Sequence, residues 1–109
     1  MNILIVEDDE KMVNLMKTGL IDQGVVSEAV NTGIEALERV SSHDYDLIVL
    51  DIMLPGEMDG FAVCREIRKR KIEIPIIMVT VPPATCATTT FVFCDLFNIF
   101  RVEKSIGLA

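Results

Sequence analysis

No apolar run in this chain comes near the ~18 residues that a membrane-spanning helix needs. The first residues lack the basic stretch and the cleavage site of a secretory signal. A cytoplasmic location is therefore expected. Positive charge is in short supply, with 10 Lys and Arg against 17 Asp and Glu, a net charge of −7 and a pI near 4.5. Such a field repels phosphates, which argues against direct nucleic-acid binding and against binding to anionic membrane. Cysteine is scarce and unpaired in number. Cys64, Cys86 and Cys94 have no metal-ligand spacing and read as reduced thiols. There is a single histidine, His43, between a helix and a strand, and it reads as a surface residue. No internal repeat is found.

What is present is apolar material in short, regularly spaced pieces. The chain is 109 residues long and half of it is apolar, enough for one domain with a core that needs no disulfide. "NILIV" (2–6) has the length and β-branched content of a strand buried on both faces. After "EDDE", Met12, Val13, Met16 and Leu20 recur at helical spacing and Gly24 suits the helix end. "VVSEAV" is a second strand. Thr32 and Glu35 make a capping box for a helix with Ile34, Leu37 and Val40 on one face. "DLIVLD" is a third strand. Asp59 suits the cap of a helix carrying Phe61, Cys64 and Ile67, and "IPIIMVT" is a fourth strand with Pro75 near its start. The basic run "REIRKRK" (65–71) reads as the solvated end of that helix, where the dipole favours cations.

This alternation predicts an α/β fold, a doubly wound parallel sheet with helices on both faces. Ligands in such sheets bind at the carboxyl ends of the strands. Glu7 and Asp8, Asp51 and Thr80 follow or end the first, third and fourth strands, so all four converge on one edge. Taken singly they have plain explanations. Acids after the first strand favour the next helix N-terminus, Asp51 suits a turn, and a threonine often ends a strand. Taken together they describe a crowd of carboxylates that needs a cation unless protonated. All-oxygen donors of this kind suit Mg²⁺ with a substrate phosphate. A carboxylate can then act as nucleophile toward phosphorus, and Thr80 can donate a hydrogen bond to a phosphoryl oxygen.

"ILIVEDD", "DLIVLDIMLPGEMDGF" and "IPIIMVT", in this order and at these separations, resemble the receiver domain of two-component response regulators over residues 1–80. The resemblance implies a flavodoxin-like receiver fold that accepts a phosphoryl group on Asp51 from a sensor histidine kinase, without a separate enzyme activity. It implies Mg²⁺ held by Asp8, Asp51 and the backbone carbonyl of Met53, with Glu7 acting through water. Thr80 would be the switch hydroxyl. The "DIMLPG" wording most resembles receivers joined to a winged-helix DNA-binding domain. Two other readings remain open: a receiver-like interaction module that is not phosphorylated, and a haloacid-dehalogenase-like phosphatase. The latter needs a second acid where Met53 stands.

The chain departs from this pattern in three places. "LPGEMDG" carries one residue more than the usual loop, near Gly56 or Glu57, and Val81 stands where the family prefers Ala or Gly. After Val81 the family's last helix, strand and helix, with a Lys-Pro pair, give way to an atypical segment. Residues 81–109 hold only four of the 27 charged residues but four of the six aromatics. Lys104 lies at about the right distance from Thr80 to serve as the family's lysine, but no proline follows it. The chain is thus expected to be one receiver-like domain, 1–109, with a divergent tail from residue 81 of the kind a shifted reading frame or rearranged gene would produce. Asp95, Asn98, Arg101 and Ser105 fall on one helical stripe, while "TTTFVF" favours a strand. So apolar a tail (88–105) is expected to be buried, against an otherwise open fourth strand or in a homodimer.

Overall fold

The computed structural model describes residues 1–80, 88–94 and 99–105, with side chains as far as Val79. The first strand, β1 (Asn2–Val6), is followed by α1 (Glu10–Asp22), β2 (Val26–Val30), α2 (Gly33–Ser42), β3 (Leu47–Asp51), α3 (Gly60–Lys69) and β4 (Ile76–Thr80). These four strands are parallel, in the order β2-β1-β3-β4, as alternating helices and strands require.

Each helix starts where a polar side chain satisfies its open amides. Asp9 accepts from the Lys11 amide (2.9 Å), Thr32 from Glu35 (3.2 Å) and Asp59 from Ala62 (2.8 Å). Glu35 reaches back to the Asn31 amide at 3.3 Å, one residue before the cap that a capping box would serve. Gly24, with φ +71°, turns the chain out of α1.

The larger core lies between the sheet and α2 and α3. Leu4, Val6, Ile48, Leu50, Ile76 and Met78 point into it from the strands, all almost wholly buried. Each such side chain contributes about 1.5–3 kcal/mol relative to remaining exposed. From α2 it is Gly33, Ala36, Leu37 and Val40 that are buried, not the expected Ile34, which is 53% exposed. The close approach of α2 and α3 explains this. A Cβ on Gly33 would lie 2.5 Å from Cγ2 of Val63, so the helices meet through their small residues and Ile34 turns outward. The α1 stripe of Met12, Val13, Met16 and Leu20 is half-buried.

Beyond β4, the strand reading of the two left open is the one observed. The tail segments are strands, β5 (Thr88–Cys94) and β6 (Ile99–Ser105), and the helical stripe is not observed there. β5 pairs antiparallel with β4, from Ile76↔Cys94 to Thr80↔Thr90, and β6 pairs antiparallel with β5. The fourth strand is therefore no open edge, because an unpaired row of buried-sheet amides finds a partner. The expected burial of the tail's side chains falls outside the described residues. For Cys64 the reading of a reduced thiol is corrected, since this residue, buried in α3, is disulfide-bonded; the side chains of Cys86 and Cys94 lie outside the described residues.

Candidate functional site

The register brings the acids together. Val6 lies opposite Leu50 in the β1–β3 pair, so the residues that follow, Glu7 and Asp51, emerge side by side at the carboxyl edge. Glu7, Asp8 and Asp51 each offer a carboxylate oxygen within 4.8 Å of the others. Glu7 and Asp51 are only 4% and 8% exposed, while Asp8 faces solvent. The four acids after β1 divide between two tasks. Asp9 caps α1 and Glu10 lies in its first turn, as a helix dipole favours, whereas Glu7 and Asp8 turn to the sheet edge.

Hydrogen bonds fix the two buried carboxylates. The Asp9 amide donates to Oε1 of Glu7 (3.1 Å), and the Met53 amide donates to Oδ1 of Asp51 (3.0 Å). Burial is the main cause that pushes the Glu7 carboxyl up to about 8, against the Asp9 amide and with the Asp51 charge and its hydrogen bonds adding to the rise. Burial likewise raises Asp51, which the Met53 amide and Glu7 partly offset. In the absence of a cation, burial and the neighbouring acids therefore favour the protonated form of Glu7, hydrogen-bonded to Asp51.

Such a donor set fits a hard divalent ion. It is all oxygen, it carries more negative charge than the fold tolerates bare, and one side is open to water. A cleft of about 240 Å³ adjoins it, lined by Glu7, Asp8, Glu10, Asn14 and Asn31 among others. Met53, 73% exposed, stands at the start of the loop that borders the acids.

Among the expected site residues, Glu7, Asp8 and Asp51 form one cluster with Met53 beside it. Thr80 ends β4 one residue beyond Val79, the partner of Asp51, and its side chain lies outside the described residues. Lys104 lies on β6, opposite Thr89. That strand is three places from β3, roughly 14 Å by the usual strand spacing. His43 is exposed at the end of α2, as expected.

A residue that the sequence reading passed over is Gly60, the first of α3. Its amide donates to the carbonyl of Ile52 at 2.9 Å, and its Cα abuts the Asp51–Ile52 peptide so closely that a Cβ would overlap the Asp51 carbonyl oxygen. The "DG" after Met58 carried the signal, but only its Asp59 was used.

A parallel sheet with a triad of acids at its carboxyl edge defines a receiver-type signalling domain. The family model described as "Response regulator receiver domain" matches residues 3–93, and the chain belongs to that family. The match passes Thr80 and ends within β5. The transcriptional regulatory protein TcrA of Mycobacterium tuberculosis is 42% identical over 78 residues, 72% of this chain and 30% of that protein. The alkaline phosphatase synthesis transcriptional regulatory protein PhoP of Bacillus subtilis is 41% identical over 78 residues, 72% of this chain and 32% of that protein. The chain thus spans about a third of the length of these curated relatives. Among solved structures, the response regulator protein TrrA from Thermotoga maritima, in complex with Mg(2+)-BeF, is 38% identical with a TM-score of 0.70 over 75% of this chain and 70% of that one. The receiver domain of Francisella response regulator 1452 is 31% identical, also at 0.70, over 77% and 69%.

Proposed function

We propose that Asp51 accepts a phosphoryl group from the phosphohistidine of a sensor kinase, with Mg²⁺ held at the acid cluster. The observation that carries this reading is the placement of Asp51, a buried carboxylate within 4.8 Å of two others at the carboxyl edge of the sheet. The Mg(2+)-BeF complex of the similar TrrA supports placing Mg²⁺ on this chain's own acids.

On this reading each residue takes a role. Met53 N–H holds one Asp51 oxygen and so aims the carboxylate toward the open side. An Asp51 oxygen attacks phosphorus. The P–O bond forms as the P–N bond breaks, and the imidazole leaves with the electron pair and takes up a proton. Asp8 and the Met53 carbonyl, together with Asp51, would bind the ion directly and Glu7 through water. When bound, Mg²⁺ neutralises charge between the anionic donor and the anionic nucleophile. Thr80 would meet an oxygen of the arriving group. Lys104 is the remaining candidate for the family's lysine.

On this reading the chain is a signalling receiver with no separate enzyme activity. It is the part that senses phosphorylation in a cytoplasmic, transcription-regulating two-component protein, and its partner is the kinase rather than nucleic acid. Among the described residues, no helix is long and apolar enough to cross a membrane. The tail from residue 81 is read as a divergent end of the same single domain, and as the surface through which two copies would pair. Incubation with a phosphorylated histidine kinase domain tests the central assignment. The label should appear on the chain, be released by hydroxylamine as acyl phosphates are, and be absent from Asp51→Asn. Label on the Asn variant would overturn it.

A further inference from the structure

The loop from Ile52 to Asp59 carries Met53, and both of its ends are anchored. At its start, the Ile52 amide donates to the carbonyl of Val79 (3.1 Å), which ties it to β4. At its end, Gly60 returns to the same place. The Gly60 amide donates to the Ile52 carbonyl at 2.9 Å. A Cβ at Gly60 would overlap the Asp51 carbonyl oxygen, and would lie 2.7 Å from Cα of Ile52 and 3.0 Å from the Asp51 carbonyl carbon. These are backbone atoms at the end of β3 and the residue after it, so they cannot turn aside as a flexible side chain would.

The consequence reaches the acids through one peptide. Asp51 is the last residue of β3, and the peptide that follows it is the one against which Gly60 packs. The next residue along supplies the amide that holds Oδ1 of Asp51 at 3.0 Å. Moving the Asp51–Ile52 peptide therefore moves the carboxylate, the amide that orients it and the Met53 carbonyl together. Glu7 and Asp8 come from β1 and its following turn, and stay where they are. The separation of the two halves of the acid cluster is set by how closely α3 can approach the end of β3.

We infer that Gly60 is a positioning residue for the acid cluster: its lack of a side chain lets α3 hold the Asp51–Ile52 peptide, and with it Asp51 and Met53, in register with Glu7 and Asp8. This rests on the reading of that cluster as a Mg²⁺ and phosphoacceptor site. Its effect is indirect, as with the outer partners of metal ligands, whose loss commonly costs ~10–100-fold in metal affinity. Gly60→Ala should bind Mg²⁺ about tenfold more weakly than the parent. Without metal, its Met53 amide should exchange with solvent about tenfold faster, because the bond to Asp51 is loosened.

Val40→Ala is the control. It removes buried volume from α2, an element that supplies none of the acids, and lowers stability. It should leave Mg²⁺ affinity and Met53 exchange at the parent's values. If Gly60→Ala behaves like Val40→Ala, with lower stability and unchanged Mg²⁺ affinity, the inference is wrong. The unmodified chain provides a second test should Gly60→Ala fail to fold. Saturating Mg²⁺ should slow exchange at the Met53 and Gly60 amides together, beyond any change at the Val40 amide. Slowing at Met53 alone would overturn the role of Gly60. A parent that shows no response to Mg²⁺ at all would contradict the reading of the acid cluster itself, and the inference would fall with it.

Discussion

Glu7 offers the sharpest handle on the site. Its carboxyl is raised from 4.5 to about 8, chiefly by burial, and Asp51 opposes its charge. Folding therefore favours its protonated form. The folded state binds the proton more tightly than the unfolded state, so stability is greatest below the unfolded value and declines as pH climbs through the folded one. With no cation present, the decline should run between pH 4.5 and about 8. The full shift corresponds to a ceiling of about 5 kcal/mol. Proton sharing with Asp51 and the open, watery side of the cluster reduce this, and about 2 kcal/mol is a fair expectation for the part that appears by neutral pH. Glu7→Gln keeps the shape and hydrogen-bonding capacity but cannot ionise. In chelator-treated buffer, the parent's melting temperature should fall across this window relative to the variant's. For a domain of this size, 2 kcal/mol corresponds to roughly 10 °C. Thermal melts of both proteins across the pH range, followed by circular dichroism, measure it. Parallel curves, or a parent that gains on the variant as pH rises, would refute the argument that burial and like charge burden Glu7.

The same crowding predicts how Mg²⁺ acts. Millimolar Mg²⁺ should raise the melting temperature of the parent by mass action and do so much less for Asp8→Asn, while without Mg²⁺ the Asn variant should be the more stable by about 1 kcal/mol; equal responses in both would remove Asp8 from the metal site. Deleting residues 82–109 should leave the chain insoluble or unfolded, because β5 would no longer cover β4, whose Ile76, Met78 and Val79 are buried; a soluble, cooperatively melting truncation would show that the tail is dispensable.

The part of the fold that carries the site was legible because its signals are local. Short apolar runs ending in acids mark strands whose carboxyl ends share an edge, and the Thr32 and Asp59 caps lie where their sequence contexts place them. Ile34 was misjudged because periodicity alone does not choose between neighbouring stripes. Leu37 and Val40 are buried as expected, but Gly33 and Ala36 take the place of Ile34, since Gly33 lets α2 come within contact of Val63. The tail was harder for a related reason. Spacings of three, three and four describe a helix in isolation, but β4 presents a full row of backbone groups, and a partner strand satisfies them. Its threonines and phenylalanines suit that strand as well. In the acidic stretch after β1, composition could not divide the work. Only the geometry separates Asp9, which caps α1, from Glu7 and Asp8, which join Asp51. The role of Gly60 is invisible without coordinates, because it depends on what a missing side chain would strike.

The most direct test of the account is intact-mass spectrometry after incubation with acetyl phosphate. With Mg²⁺ the chain should gain one phosphoryl group, mapped to Asp51, and chelation of the metal or Asp51→Asn should abolish the gain. A parent that stays unmodified with Mg²⁺ present, or an Asn variant that is modified as readily as the parent, would contradict it.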